Sequence, residues 1–176
     1  MKICKSPFTR SARKRTAHFA CSLVALFTLQ QISPVVAAEV ETKQVIDRQG
    51  EGRILYSTIK IPANAETLYV SGMGASPMAD ESWGNMEQQT IDIFNKFKAT
   101  LEEQGWTMSD IVQVRVFAVA GEDGVLDFEG FNKGYLTFFG TTENPMKPVR
   151  TFVQVADLVR EGWLVEVEVR AARVPE

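Results

Sequence analysis

Two stretches near the C-terminus decide the fold: Val149-Arg150-Thr151-Phe152-Val153-Gln154-Val155 and Trp163-Leu164-Val165-Glu166-Val167-Glu168-Val169-Arg170. Both alternate with a period of two, and successive side chains of an extended chain point to opposite faces of a sheet. In the first, Val149, Val153 and Val155 fall on one side and Arg150, Phe152 and Gln154 on the other. In the second, Val165, Val167 and Val169 oppose Glu166, Glu168 and Arg170. The polar connection Asp157 to Gly162 reads as the loop of an antiparallel hairpin. One face of that hairpin is expected to be β-branched core. The other would gather a guanidinium, a carboxamide and two carboxylates beside Phe152 and Leu164. Arg150 and Glu166 are the leading candidates for chemistry, with an ion pair between them as the purely structural alternative.

Upstream, Thr141 to Pro148 is a connection with prolines at Pro145 and Pro148, and Asp127 caps a helix expected to run to Phe139 and stop at Gly140. Its inward stripe is Phe128, Phe131, Tyr135 and Phe138, with Asn132 on or beside it. A buried carboxamide left unpaired costs ~1–3 kcal/mol, so Asn132 needs a partner, either backbone or ligand. Ile111 to Ala120 alternates as a strand whose apolar face is Val112, Val114, Val116 and Ala118. A longer helix opens at Asn85, with Gln88 completing a capping box, and carries Met86, Thr90, Ile93, Phe94, Phe97 and Leu101 at three-four spacing until Gly105 closes it. Earlier still, Gly52 to Ile61 and Thr67 to Ser71 read as a second hairpin, over residues 53 to 71, and a short strand is possible near Val45-Ile46. The following Gly72-Met73-Gly74 lacks the third glycine and helix start of a phosphate loop, so its glycines mark close backbone approach.

The order is thus β β α β α β β. Two helices with one apolar stripe each cover one face of a sheet of five or six strands. The mixed residues on the other face suit burial against another subunit, so a homo-oligomer is expected.

Met1 to Ala38 has six basic residues, no acidic one, an apolar run from Phe19 to Phe27 and the small-residue ending Val36-Ala37-Ala38. That is the pattern of a secretory signal cleaved before Glu39, which leaves one domain over residues 39 to 176 and an exported, periplasmic protein with no membrane association after cleavage. The apolar run falls short of the ~20 residues a spanning helix needs. Both cysteines (Cys4, Cys21) and the only histidine, His18, lie in that leader. Without them, nucleophile systems built on histidine or cysteine, zinc sites of those ligands and disulfides are ruled out. Six of the 19 basic residues leave and all 22 acidic ones stay, so the net charge falls from −3 to −9. A nucleic-acid partner is disfavoured, since no basic stripe remains to neutralise phosphates.

Four motifs together resemble the RidA (YjgF/YER057c/UK114) family. They are Tyr69-Val70-Ser71-Gly72; Ser109-Asp110-Ile111-Val112; Phe131-Asn132-Lys133-Gly134-Tyr135-Leu136-Thr137-Phe138-Phe139; and Pro148 to Ala156 followed by Val165-Glu166-Val167-Glu168-Val169. The resemblance implies a chorismate-mutase-like α+β subunit, a six-stranded mixed sheet with two helices on one face, assembled as a homotrimer with clefts between subunits. It implies hydrolytic deamination of 2-imino or enamine acids to 2-oxo acids and ammonia, with neither metal nor organic cofactor. Arg150 would grip the substrate carboxylate and Glu166 would position water, with Ser71, Gly72 and Asn132 lining the cleft. Tyr56 matches the family's cleft tyrosine if two extra residues are allowed before Ser71. Phe152 stands where well-known members have cysteine, which reshapes the cleft floor, and the turn Asp157 to Leu164 is one residue longer than the familiar pattern. A non-catalytic trimer that binds small carboxylates, or a holdase, is the competing class.

Overall fold

The computed structural model describes residues 44–175, so the expected leader lies outside the described residues. Six strands and two helices follow in chain order: β1 (Asp47–Glu51), β2 (Tyr56–Lys60), β3 (Glu66–Gly74), α1 (Met86–Glu103), β4 (Ile111–Ala118), α2 (Phe128–Leu136), β5 (Val149–Gln154) and β6 (Val165–Arg173). A short 3-10 turn, Met108–Asp110, leads into β4. Among the described residues no helix is long and apolar enough to cross a membrane.

The helices form where the sequence placed them. Asn85 Oδ1 accepts from the Gln88 amide at 3.0 Å while Gln88 Oε1 accepts from the Asn85 amide at 2.9 Å, a complete capping box. α1 ends before Gly105, whose φ of +72° is the left-handed closing geometry. α2 stops at Leu136, earlier than the expected Phe139. There the Thr137 hydroxyl donates to the Gly134 carbonyl at 2.7 Å, and Phe138 and Phe139 enter the turn. Phe94, Phe97, Phe131, Tyr135 and Phe139 interlock with Val114, Val116, Val165 and Val167 as the core.

The strands are ordered β3-β6-β4-β5, mixed, with β1-β2 as a separate antiparallel pair. The pair lies beside β5, where the Tyr56 amide donates to the Pro148 carbonyl at 3.4 Å. Buried Lys147 fixes it further, donating to Gly52 O at 2.8 Å and pairing with Glu51 at 2.8 Å. Six strands in a mixed arrangement with two helices on one face therefore stand, with a seam between β2 and β5.

Both expected hairpins are corrected. β5 does not pair with β6; it runs parallel to β4, which lies between them and is antiparallel to β6. The ten residues from Val155 to Leu164 are long enough to cross one strand, about 10 Å, so period-two alternation left the pairing partner open. β2 pairs with β1 rather than β3, and β3 forms the far edge against β6. Residues 47–51, read as mostly a polar arm with a possible strand near Val45-Ile46, supply β1 itself.

Candidate functional site

The pairing of β5 with β4 decides where Arg150 points. Arg150 is opposite Val114 and Phe152 opposite Val116, and paired residues share a face. Val114 and Val116 are fully buried under the helices. Arg150 and Phe152 therefore lie on the helix side, not on the mixed open face the alternation suggested. The Arg150 guanidinium carbon sits 4.8 Å from the Tyr135 ring centre, 5.4 Å from Phe131 and 5.6 Å from Phe128, all on α2. Its Nη1 donates to Asn132 Oδ1 at 2.9 Å. Phe152 packs edge-on to Phe128 and Phe131, with centroids at 4.9 and 5.0 Å.

This cation has an unusual set of neighbours. Three aromatic faces and a neutral carboxamide surround it, and among the described residues it forms no ion pair. Burial lowers its pKa, partly opposed by Tyr135, whose own hydroxyl is raised by burial and donates to Ile54 O at 3.1 Å. A partly buried guanidinium with donors left over is a ready grip for an anion, because the cost of removing it from water has already been met by the fold. Asn132 and Phe128, which touch the guanidinium, also line a hollow of about 390 Å³ with Arg53, Ile54, Glu129, Lys133 and Leu136. Its two cations outnumber its one acid, which favours an anionic guest.

Glu166 belongs to the other face. It is opposite Phe117 on β4 and Gly74 on β3, while its neighbours Val165 and Val167 fill the core. The β3–β6 ladder is irregular between Val70 and Met73, which puts Ser71 and Gly72 in a bulge, a common device for re-aiming groups at a site. A side chain at Gly72 would collide with the Glu166 carboxylate, so this glycine gives the acid its room. Ser71 lines an adjacent groove of about 280 Å³ with Tyr69, Gln113, Arg115, Glu168 and Arg170.

Six of the seven candidates thus form two groups. Arg150, Asn132 and Phe152 meet on the helix side, while Glu166, Gly72 and Ser71 meet on the open face. The alternation of β4 puts one chain's Arg150 and Glu166 on opposite sides of the sheet, which removes an ion pair between them within the chain. Tyr56 joins neither group. It sits at the β2–β5 seam with Lys147 5.7 Å from its ring centre. Sequence reasoning missed the aromatic bed of Arg150, having assigned Phe128 and Tyr135 to the core alone. Their spacing about Asn132, four before and three after, puts all three on one helix face and was the available signal. Phe128, expected inside, is 42% exposed. Among the described residues no three His, Cys, Asp or Glu side chains converge as metal ligands would.

Comparison with known proteins agrees with this architecture. The profile of the family described as Endoribonuclease L-PSP matches residues 53–173. A RutC family protein of Leuconostoc mesenteroides is 35% identical over 112 residues, covering 62% of this chain and 82% of that protein. Another, from Saccharolobus solfataricus, is 34% identical over 110 residues, covering 61% and 80%. The crystal structure of a conserved Rid family protein of unknown function from Yersinia pestis superposes with a TM-score of 0.53 at 19% identity, covering 66% of this chain and 85% of that one. A YjgF family member from Neisseria meningitidis gives 0.50 at 19% identity, covering 74% and 97%. The motifs, the sheet order and these matches place the chain in the Endoribonuclease L-PSP family, the group that also carries the names RutC and YjgF.

Proposed function

We propose that this protein hydrolyses reactive 2-imino acids, or the enamines in equilibrium with them, to 2-oxo acids and ammonia. The observation that carries the reading is Arg150, a partly buried cation whose nearest groups are all uncharged. In this reading its free donors hold the substrate carboxylate through two parallel hydrogen bonds. Glu166 accepts a proton from water as the oxygen bonds to the C=N carbon, and the imine nitrogen takes up a proton. The carbinolamine nitrogen then takes the proton that Glu166 holds, the C–N bond breaks with the nitrogen leaving as ammonia, and the hydroxyl proton returns to solvent in place of the one the imine nitrogen took up. An imine is already electrophilic, so positioning and proton transfer are enough.

Because the two groups lie on opposite faces, the reading needs a second copy to bring its Gly72 and Glu166 against the first copy's Arg150. The open face supports self-association: Tyr69 is 67% and Val153 40% exposed there, beside half-buried Phe117. Such apolar exposure on a sheet face favours a subunit contact. A homotrimer with one site per contact is the assembly proposed, and export by the leader would put the chemistry outside the cytoplasm.

The test follows ammonia and 2-oxo acid from imines generated in place by an amino-acid oxidase, with light scattering to give the assembly mass. Wild type should accelerate release and Arg150→Ala should not. Equal release by both would end the enzymatic reading, and carboxylate binding by calorimetry without turnover would favour a non-catalytic binder.

A further inference from the structure

Phe128 and Glu129 line two hollows that differ in their balance of charge. On one side is the cationic one with Arg53, Asn132 and Lys133. On the other is a hollow of about 500 Å³ lined by Met86, Val125, Leu126 and Leu164 together with the acids Asp123, Asp127 and Glu129. The Phe128 ring touches both the Arg150 guanidinium, 5.6 Å away, and Phe152, 4.9 Å away. Asp127 is committed to capping α2 through the Gly130 amide, but its charge remains. Val125 is 62% exposed, so this hollow opens to solvent.

We infer that the hollow beside Phe128 receives the side chain of the acid whose carboxylate Arg150 holds, and that it selects large apolar side chains over a methyl group and over acidic ones. The inference rests on the carboxylate reading of Arg150 and narrows its substrate class. Of the three rings around the guanidinium, Tyr135 and Phe131 are buried in the core, and Phe128 is the one that also lines the hollow with Leu126 and Val125, so it is the wall an acid's side chain would follow. An apolar side chain leaves water on entering such a hollow and gains with each added carbon. A methyl group reaches none of it. A second carboxylate would meet the three acids of the lining.

Calorimetric titration of the full chain with stable 2-oxo acids tests this without requiring turnover. Phenylpyruvate and 4-methyl-2-oxopentanoate should bind on the order of tenfold tighter than pyruvate, and 2-oxoglutarate more weakly than either. In Val125→Asp, the ratio of phenylpyruvate to pyruvate affinity should fall roughly fivefold. The ratio is the right reading because both ligands carry one carboxylate, so the added charge acts on both at long range. Val125 is exposed, so the variant keeps its fold, which circular dichroism checks. A flat series of affinities overturns the inference while leaving the carboxylate grip intact. An unchanged ratio with altered assembly mass makes the hollow a subunit contact and also overturns it. If no acid binds at all, the carboxylate reading fails and takes this inference with it.

Discussion

The two faces of the sheet hold their charged groups in different ways. On the helix side Arg150 is inserted among aromatic rings with a single neutral hydrogen-bond partner. On the open face Arg115 and Glu168 pair at 2.8 Å while both stay substantially exposed, and the Arg170 guanidinium carbon lies over the Tyr69 ring, 4.3 Å from its centre. The first arrangement is desolvated and left without a counter-charge; in the second, Arg115 and Glu168 neutralise each other, while Arg170 has no ion-pair partner among the described residues and a buried Nε without a hydrogen bond. Arg150 differs in being held among three aromatic rings. The second has the profile of a surface awaiting cover, and on the proposed reading Arg150 and Glu166, which lie on opposite faces, would meet only between copies.

The largest effect should come from removing the guanidinium while keeping its bulk. Arg150→Met retains apolar contact with Phe128, Phe131 and Tyr135 but loses two charge-assisted hydrogen bonds to substrate, worth ~1.5–3 kcal/mol each. Imine turnover should fall about 10²–10³-fold, while the melting temperature holds or rises, because a poorly compensated buried charge has been replaced by an apolar group. A melting temperature lowered by many degrees with turnover intact would show that the aromatic bed merely stores a structural arginine.

The next effect belongs to the open face. In Gly72→Ala the new methyl displaces the end of a flexible side chain, Glu166, not backbone. Folding should survive, and turnover should drop on the order of 10²-fold for a misplacement of about 1 Å. Unchanged turnover would remove Glu166 from the reaction. Asn132→Ala is milder. It frees Arg150 Nη1 from its 2.9 Å acceptor without touching the charge, so KM should rise about tenfold as the fork loses its fixed orientation, with kcat nearly constant.

Much of this was legible in the sequence. Local signals did well: the Asn85–Gln88 box, the Asp127 cap, the three-four stripe of α1 and the alternation of β4 all formed, because each depends on residues a few positions apart, while the stripe of α2 held at Phe131 and Tyr135 but not at Phe128. Pairing was not legible. Alternation states which residues share a side of a strand, yet it names neither the neighbour nor the side that meets the helices. That single ambiguity reversed Arg150 and Phe152. The valines at 149 and 153 suggested the core side of β5, but their register with Gln113 and Phe117 turns them outward. An arginine among aromatics satisfies the buried side as well as a valine does, since its stem and flat head pack on rings. The bulge at Ser71-Gly72 was equally invisible, although its glycine was marked as a point of close approach.

The smallest expected effect is also the cleanest probe of whether the open face is covered. Arg115 and Glu168 retain 49% and 36% of their side-chain exposure in the single chain. A pair in that setting contributes ~0.2–1 kcal/mol and is screened by salt. If a second copy lies over this face, water and ions are excluded and the same 2.8 Å contact couples more strongly. A double-mutant cycle with Arg115→Ala and Glu168→Ala, read from urea unfolding at low salt and again at about 1 M salt, where the screening length falls to ~3 Å, measures that coupling directly. The assembly reading expects about 1 kcal/mol, persisting at high salt. A coupling that vanishes with added salt would mean that β3, β6 and β4 present a wet face, and Arg150 would then have no Glu166 to work with.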